Sequence, residues 1–237
     1  MNTKTSTGSI FLIPSHLGEP NYSVIFPPHN AHIISSLSFF IAENIRTARR
    51  GIKALLPDTS IDSLSFSEFN KHTQEKDISG ILAPVFNGQN IGVLSEAGMP
   101  CIADPGNKLV AYAHKHNIQI IPLIGPNSIL LALTASGFNG QQFTFHGYIP
   151  IKQGRKKAIQ KMEQDAQHTS YTQIFMETPY RNQKLFEELV HTLKPHTKLC
   201  IACDITLSSE YICTQSITKW KQQPPNLHKR PCIFLIQ

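Results

Sequence analysis

The chain has 237 residues, 41% hydrophobic and 16% charged, with a net charge of +6 and a pI near 9.1. That composition excludes global disorder and is enough for one large core or two smaller ones, and the positive charge suits an anionic partner such as nucleic acid without requiring one. Five cysteines in a chain of this size lack the density of a disulfide scaffold, and the opening MNTKTSTGSIFLIP makes neither a secretory signal nor a membrane span, so a reducing, cytoplasmic setting is expected.

Taken in order, Ile10 to Pro14 reads as a strand that enters the polar loop Ser15 to Pro20. Phe39 to Glu43 reads as a second strand, and Ile45 to Leu56 as a basic helix stopped by Pro57. Asp77 to Phe86 is expected to be helical in spite of Pro84, and Ile91 to Ser95 is a bare apolar strand. A helix over Lys108 to Lys115, a strand over Ile118 to Ile124 and a helix from Ser128 to Ser136, closed by Gly137, follow. This alternation predicts an α/β fold with a largely parallel sheet and helices on its faces.

The composition shifts at Gly140-Gln-Gln, which sets two α/β domains, 1–138 and 139–237. The second opens with a strand over Phe143 to Ile149, a basic helix over Arg155 to Met162, a strand over Thr172 to Glu177 and a helix from Asn182 to Leu193. Its close is richer in β, with strands over Leu199 to Ile205, Glu210 to Gln215 and Cys232 to Gln237 and a short helix around Trp220. Cys200 and Cys203 form a C-x-x-C inside an apolar strand, where residues three apart point to opposite faces. Neither that pair nor the spacing of His16, His72 and His146 suggests a metal, so no metal site is expected.

The most informative stretch is Ile91-Gly-Val-Leu-Ser-Glu-Ala-Gly-Met-Pro-Cys-Ile-Ala-Asp-Pro-Gly106, where a strand runs into a loop with two carboxylates. In a parallel sheet this is the carboxyl end of a strand, where ligands of open α/β folds sit. Gly98 lets a ligand approach the backbone, and Glu96 and Asp104 suit an ammonium group or ribose hydroxyls. The plainer alternative is a capped helix, with Asp104 as N-cap and Pro105 at the first helical position. Pro122-Leu-Ile-Gly-Pro-Asn-Ser128 is a second strand end, where Ser128 either caps the next helix or helps its free N–H groups hold a carboxylate. Phe175-Met-Glu-Thr-Pro-Tyr-Arg181 is a third, with Met176 placed either for core packing or against an adenine ring.

Ser95-Glu-Ala-Gly-Met-Pro through Ala103-Asp-Pro-Gly106, then Leu123 to Ser128, then Phe145-His-Gly-Tyr-Ile-Pro150, then Phe175-Met-Glu and Arg181, in that order, resemble the tetrapyrrole-methylase superfamily. Within it the chain is most similar to the ribosomal RNA small-subunit methyltransferase I branch, which methylates a cytidine ribose 2′-hydroxyl; Ala42-Glu-Asn-Ile-Arg46 resembles that branch's acidic-plus-Arg motif. The resemblance implies two α/β domains with S-adenosylmethionine in the cleft between them, a homodimer, no membrane, and small-subunit ribosomal RNA as partner. It also implies that Pro14, Glu96, Ala97, Gly98, Asp104, Ser128 and Met176 bind the cofactor. Departures fall in the first loop, Ile13-Pro-Ser-His-Leu-Gly18 against T-P-I-G-N-L, at Asn44 and Ile45 in place of Asp and Thr, and at Leu207 to Ser209 in place of a Lys-Leu-His stretch.

Because a sulfonium methyl is already electrophilic, the protein mainly has to align the acceptor and exclude water. For a ribose acceptor, Glu177 or Glu43 is the candidate to take the proton, and Arg46 or Arg181 to hold the neighbouring phosphate. The competing reading makes Glu43–Arg46 and Glu177–Arg181 interdomain ion pairs. The clusters Arg46, Arg49, Arg50, Lys53 and Lys152, Arg155, Lys156, Lys157 suit an RNA backbone. A methyltransferase for a tetrapyrrole-like small molecule and a non-catalytic relative that binds cofactor or RNA are the alternative functions.

Overall fold

The computed structural model describes residues 7–18 and 22–237; Glu19 and Pro20 of the first loop, like the opening Met1 to Ser6, lie outside the described residues. The chain divides into two compact units, Met1–Asn127 and Ser128–Gln237.

In the N-terminal unit, chain order runs β1 (Ser9–Ile13), α1 (Tyr22–Ile25), α2 (Pro28–Ser35), β2 (Phe39–Ala42), α3 (Ile45–Leu55), β3 (Ser65–Glu68), α4 (Ile78–Ile81), α5 (Ala83–Phe86), β4 (Ile91–Leu94), α6 (Asn107–Lys115) and β5 (Gln119–Pro122). The strands form one parallel sheet in the order β3-β2-β4-β1-β5. Alternate residues feed two cores. Ile10, Ile41, Ile91 and Val93 pack with Ile78, Leu82, Val85, Leu109 and Ala113 on one side, while Ile13, Phe40, Ala42 and Leu94 pack with Tyr22, Phe26, Ile34, Ala48 and Ile52 on the other. A sheet buried on both faces explains why its strands read as bare apolar runs.

Two details differ from the sequence reading. The helix expected over Asp77 to Phe86 is two single turns joined at Leu82, because Pro84 has no N–H to continue the ladder. Helix α2 and the edge strand β3 went unread; the first starts on Pro28, and the second, Ser-Phe-Ser-Glu, is only half buried.

In the C-terminal unit, α7 (Ser128–Ser136), β6 (Phe143–Tyr148), α8 (Arg155–Thr169), β7 (Thr172–Met176), α9 (Asn182–Thr192), β8 (Lys198–Cys203), β9 (Tyr211–Ser216), α10 (Ile217–Gln222) and β10 (Cys232–Ile236) follow. The sheet order is β6-β7-β10-β8-β9, with only β6 and β7 parallel. Helices α8, α9 and α10 supply Ile159, Met162, Leu185, Leu189 and Trp220 to a core with Phe175, Ile201 and Phe234. Helix α7 packs against β8, β9 and β10, so the stretch from Ser128 to Phe138 goes with this unit. Helix α8 continues past Met162 to Thr169, ending where Ser170 turns left-handed. In the C-x-x-C, Cys203 faces the helical core and meets Cys232, its cross-strand partner, at 2.7 Å, while Cys200 points the other way toward Thr214. No helix among the described residues is long and apolar enough to cross a membrane, and none of their His, Cys, Asp and Glu side chains cluster to hold a metal.

Candidate functional site

Strands β1 and β4 are neighbours, but β1 sends its chain past β4 to β2, and β4 sends its chain past β1 to β5. Their loops part in opposite directions, which makes this edge the switch point at which open α/β sheets bind ligands. Backbone bonds tie the two loops together: Ser15 N–H donates to Gly98 O at 2.8 Å, and Gly98 N–H to Ser15 O at 3.1 Å. The Ser15 hydroxyl donates to Ser95 O at 2.6 Å, and the Ser95 hydroxyl to Gly98 O at 2.8 Å. Gly98 sits at φ +69°, and a Cβ there would meet Leu17 Cδ2 at 3.2 Å and Pro126 O at 3.4 Å. Pro14 is buried against Gly125, where a Cβ would overlap its ring at 2.2 Å.

Beyond Gly98 the chain turns through left-handed Cys101 and Ala103, a strained course that Asp104 holds. Both Asp104 oxygens accept the Cys101 N–H at 2.9 Å, and Oδ1 also accepts the Gly106 N–H at 2.7 Å. The expected N-cap at Asp104 is therefore not formed. Helix α6 starts at Asn107 with Gly106 as its cap, and Asp104 closes the loop instead.

Glu43, one residue past β2, lines a recess with Asp104, Gly106 and Leu109. Burial raises its carboxyl pKa, and the charges of Asp104 and Glu96 raise it further. Asp104 is also raised, burial outweighing its two backbone donors. Burial and then Asp104 push the Cys101 thiol up to about 11. Among the described residues none of these three carboxylates has an ion-pair partner, and Glu43 is not paired with Arg46. Glu96 and Ala97 are exposed beside the recess. Such a cluster is satisfied by protonation or by a cation. Asn44, where the resembled branch has Asp, accepts the N–H groups of Arg46 and Thr47 at 3.0 and 3.2 Å and so caps α3 as Asp would.

In the C-terminal unit, Ser128 is the first residue of α7 and Met176 the last of β7. Glu177 follows, with its side chain 1% exposed. It accepts from Arg155, from Arg181 Nη2 at 2.7 Å and from Thr178 N–H at 2.7 Å. Burial pushes its carboxyl up, but Arg181, the Thr178 N–H and Arg155 together hold it below the usual range. A carboxylate so saturated is a poor proton acceptor; the ion-pair reading of Glu177–Arg181 is the one the geometry supports, within one unit. Arg155, read from sequence as part of an RNA-facing cluster, is instead buried between Glu177 and Glu188.

Sequence reasoning missed Ser15, Ser95, Cys101 and Gly125, which shape the switch point, and the role of Arg155. The local signal available was the Gly and Pro content of the loops; the Ser15–Ser95 bond, for one, joins residues 80 positions apart.

The Tetrapyrrole (Corrin/Porphyrin) Methylases family model matches residues 30–219. The chain is 28% identical over 242 residues to the ribosomal RNA small subunit methyltransferase I of Buchnera aphidicola subsp. Schizaphis graminum, covering 100% of this chain and 80% of that protein. It is 27% identical to the protein of that name from Escherichia coli O157:H7, covering 98% and 78%. Among solved structures, the methyltransferase CobJ superposes with a TM-score of 0.64 at 14% identity, covering 97% and 94%. A uroporphyrin-III C-methyltransferase of Thermus thermophilus, complexed with S-adenyl homocysteine, gives 0.56 at 13%, covering 97% of each chain. With its two α/β units and its match to the family model over residues 30–219, the chain belongs to the tetrapyrrole methylase family and is an S-adenosylmethionine-dependent methyltransferase.

Proposed function

We propose that this protein methylates small-subunit ribosomal RNA in the cytoplasm, as a homodimer, at a cytidine ribose 2′-hydroxyl, and that the β1/β4 edge holds the cationic methionine end of the cofactor. The observation that carries the site is the pair Glu43 and Asp104, half-buried carboxylates with raised pKa values, beside exposed Glu96 and with no ion-pair partner among the described residues. The residues fit the cofactor: the cluster suits its ammonium and sulfonium charges, and the bare Cα of Gly98 lets it lie against the backbone. The acceptor rests on the names of the relatives, which match 98% or more of this chain and are themselves covered to 78–80%.

When bound, S-adenosylmethionine supplies an electrophilic methyl on a sulfonium. Pro14, Ala97 and Gly98 would shape the surface that holds it, Asp104 keeps the loop rigid through its bonds to Cys101 and Gly106, and Glu96 would offer it a negative charge. Ser128 and Met176 join this set through the family resemblance. Glu43 would accept the ribose hydroxyl proton at its carboxylate, a role its raised pKa favours because a stronger base works nearer neutral pH. Arg46, exposed at the start of α3, holds a phosphate next to the target.

The test is methyl transfer from labelled cofactor to small ribosomal subunits, free tRNA and uroporphyrinogen III in parallel. The proposal expects label in small-subunit RNA, recovered as an alkali-resistant dinucleotide that marks a blocked 2′-hydroxyl. Label in the tetrapyrrole, or cofactor binding with no transfer to any of the three, overturns it.

A further inference from the structure

Tyr180 and Tyr148 leave 76% and 57% of their surface in water, and a Tyr ring so placed offers a flat apolar face with a polar tip for recognition. Both stand at the carboxyl edge of the parallel β6/β7 pair: Tyr148 ends β6 opposite Met176, and Tyr180 lies in the turn that follows β7. Arg181 follows Tyr180 directly in the chain and is close enough to Tyr148 for that ring's hydroxyl to bear on it electrostatically. Arg181 is partly exposed, and its orientation is set from below by Glu177, which buried Arg155 holds in turn. Helix α8 opens at this edge with Arg155-Lys156-Lys157 and no acidic residue in its first turn, against the preference of the helix dipole. A pinned guanidinium near two exposed rings, with exposed Lys156 and Lys157 at the start of α8, matches a polyanion whose units carry flat faces.

We infer that Tyr148 and Tyr180 are stacking platforms for unpaired bases of a single-stranded RNA segment whose phosphate Arg181 holds. The inference rests on the RNA reading above and adds to it the form of the substrate: the segment next to the target enters unpaired, since a base inside a duplex offers no free face. Arg181 and the tyrosines are positioning groups for the strand and take no part in the proton transfer.

The experiment uses the full chain and a fluorescein-labelled single-stranded RNA of about twelve nucleotides, titrated at several salt concentrations. A second RNA of the same sequence carries 2-aminopurine, whose emission is quenched on stacking. Tyr148→Ala and Tyr180→Ala are each expected to weaken binding by about tenfold and to restore 2-aminopurine emission, with the salt slope unchanged; Tyr→Phe at either position restores both. Arg181→Gln is expected to flatten the salt slope by about 0.7. Unaltered cofactor affinity in the tyrosine variants excludes a folding defect. Wild-type-like RNA binding and quenching in both alanine variants overturns the inference while leaving the RNA reading intact. Tighter wild-type binding to the corresponding duplex overturns it as well, and no wild-type binding to any RNA overturns both.

Discussion

At the carboxyl edge of its sheet the N-terminal unit gathers Glu43, Glu96 and Asp104 with no ion-pair partner among the described residues, whereas the corresponding edge of the C-terminal unit clamps Glu177 between two arginines. Both edges are built alike, from a parallel strand, a Gly- or Pro-bearing loop and a helix, and both carry a carboxylate just past a strand end. Their electrostatics are opposed: burial raises Glu43 and Asp104, while partners lower Glu177. A strand-end carboxylate therefore says little until its neighbours are known. Where the neighbours are acidic the group awaits a cationic ligand or a proton, and where they are arginines it serves as a girder.

The strongest way to break this contrast is at Arg155. Arg155→Met leaves Glu177 buried with one arginine fewer, and the expected loss is about 3 kcal/mol of unfolding free energy, read by urea denaturation. A loss below about 1 kcal/mol, the range of solvent-exposed pairs, would mean that Glu177 is solvated and available for chemistry after all. Next in size is Gly98→Val. A β-branched residue at φ +69° carries strain of about 1–3 kcal/mol and meets Leu17, so cofactor affinity measured by calorimetry is expected to fall tenfold or more. Wild-type affinity in that variant would move the cofactor away from the β1/β4 edge and empty the comparison of meaning.

The smallest effect sharpens the contrast through pH. A carboxyl raised by folding binds its proton more tightly in the native state, so Glu43 adds stability to the cofactor-free protein as pH falls through its raised value and costs stability at neutral pH. Glu177, lowered by its partners, does the reverse: its contribution is present above the unfolded carboxylate range near about 4.3 and is lost as pH falls through its lower native value. Glu43→Gln is accordingly expected to stabilise the cofactor-free protein at neutral pH by about 0.5 kcal/mol, modest because the group is partly solvated, and to remove that gain in acid. Denaturation curves at neutral and acidic pH check the sign; destabilisation at neutral pH would show that Glu43 has a cationic partner.

Much of this was legible before folding. Periodicity and punctuation located β1, β2 and β4, whose interior positions must be apolar, the half-buried edge strand β5 through its apolar Ile118 to Ile124 run, and the helices between Arg155 and Leu193, with Gly and Pro marking ends. The edge strand β3 and helix α2 were not legible, since half-buried polar segments carry a weak pattern. The acidic loop 96–104 stands out for its composition, but whether Asp104 faces a ligand or caps a helix stays open in the sequence, because the residues that it bonds, Cys101 and Gly106, are identified by backbone geometry alone.

What the sequence determined by itself is the local order: which segments are strands, which loops at their ends hold glycine and carboxylates, and where helices start, as Asn44 does for α3 through bonds to its own neighbours. What only the tertiary structure decided is the company each side chain keeps. Strand order brings Ser15 to Gly98 and Glu43 to Asp104, and the seating of α8 turns Arg155 from a surface cation into the buried partner of Glu177. Charge and burial act through space, at a few ångströms, on groups that the chain separates by tens of residues.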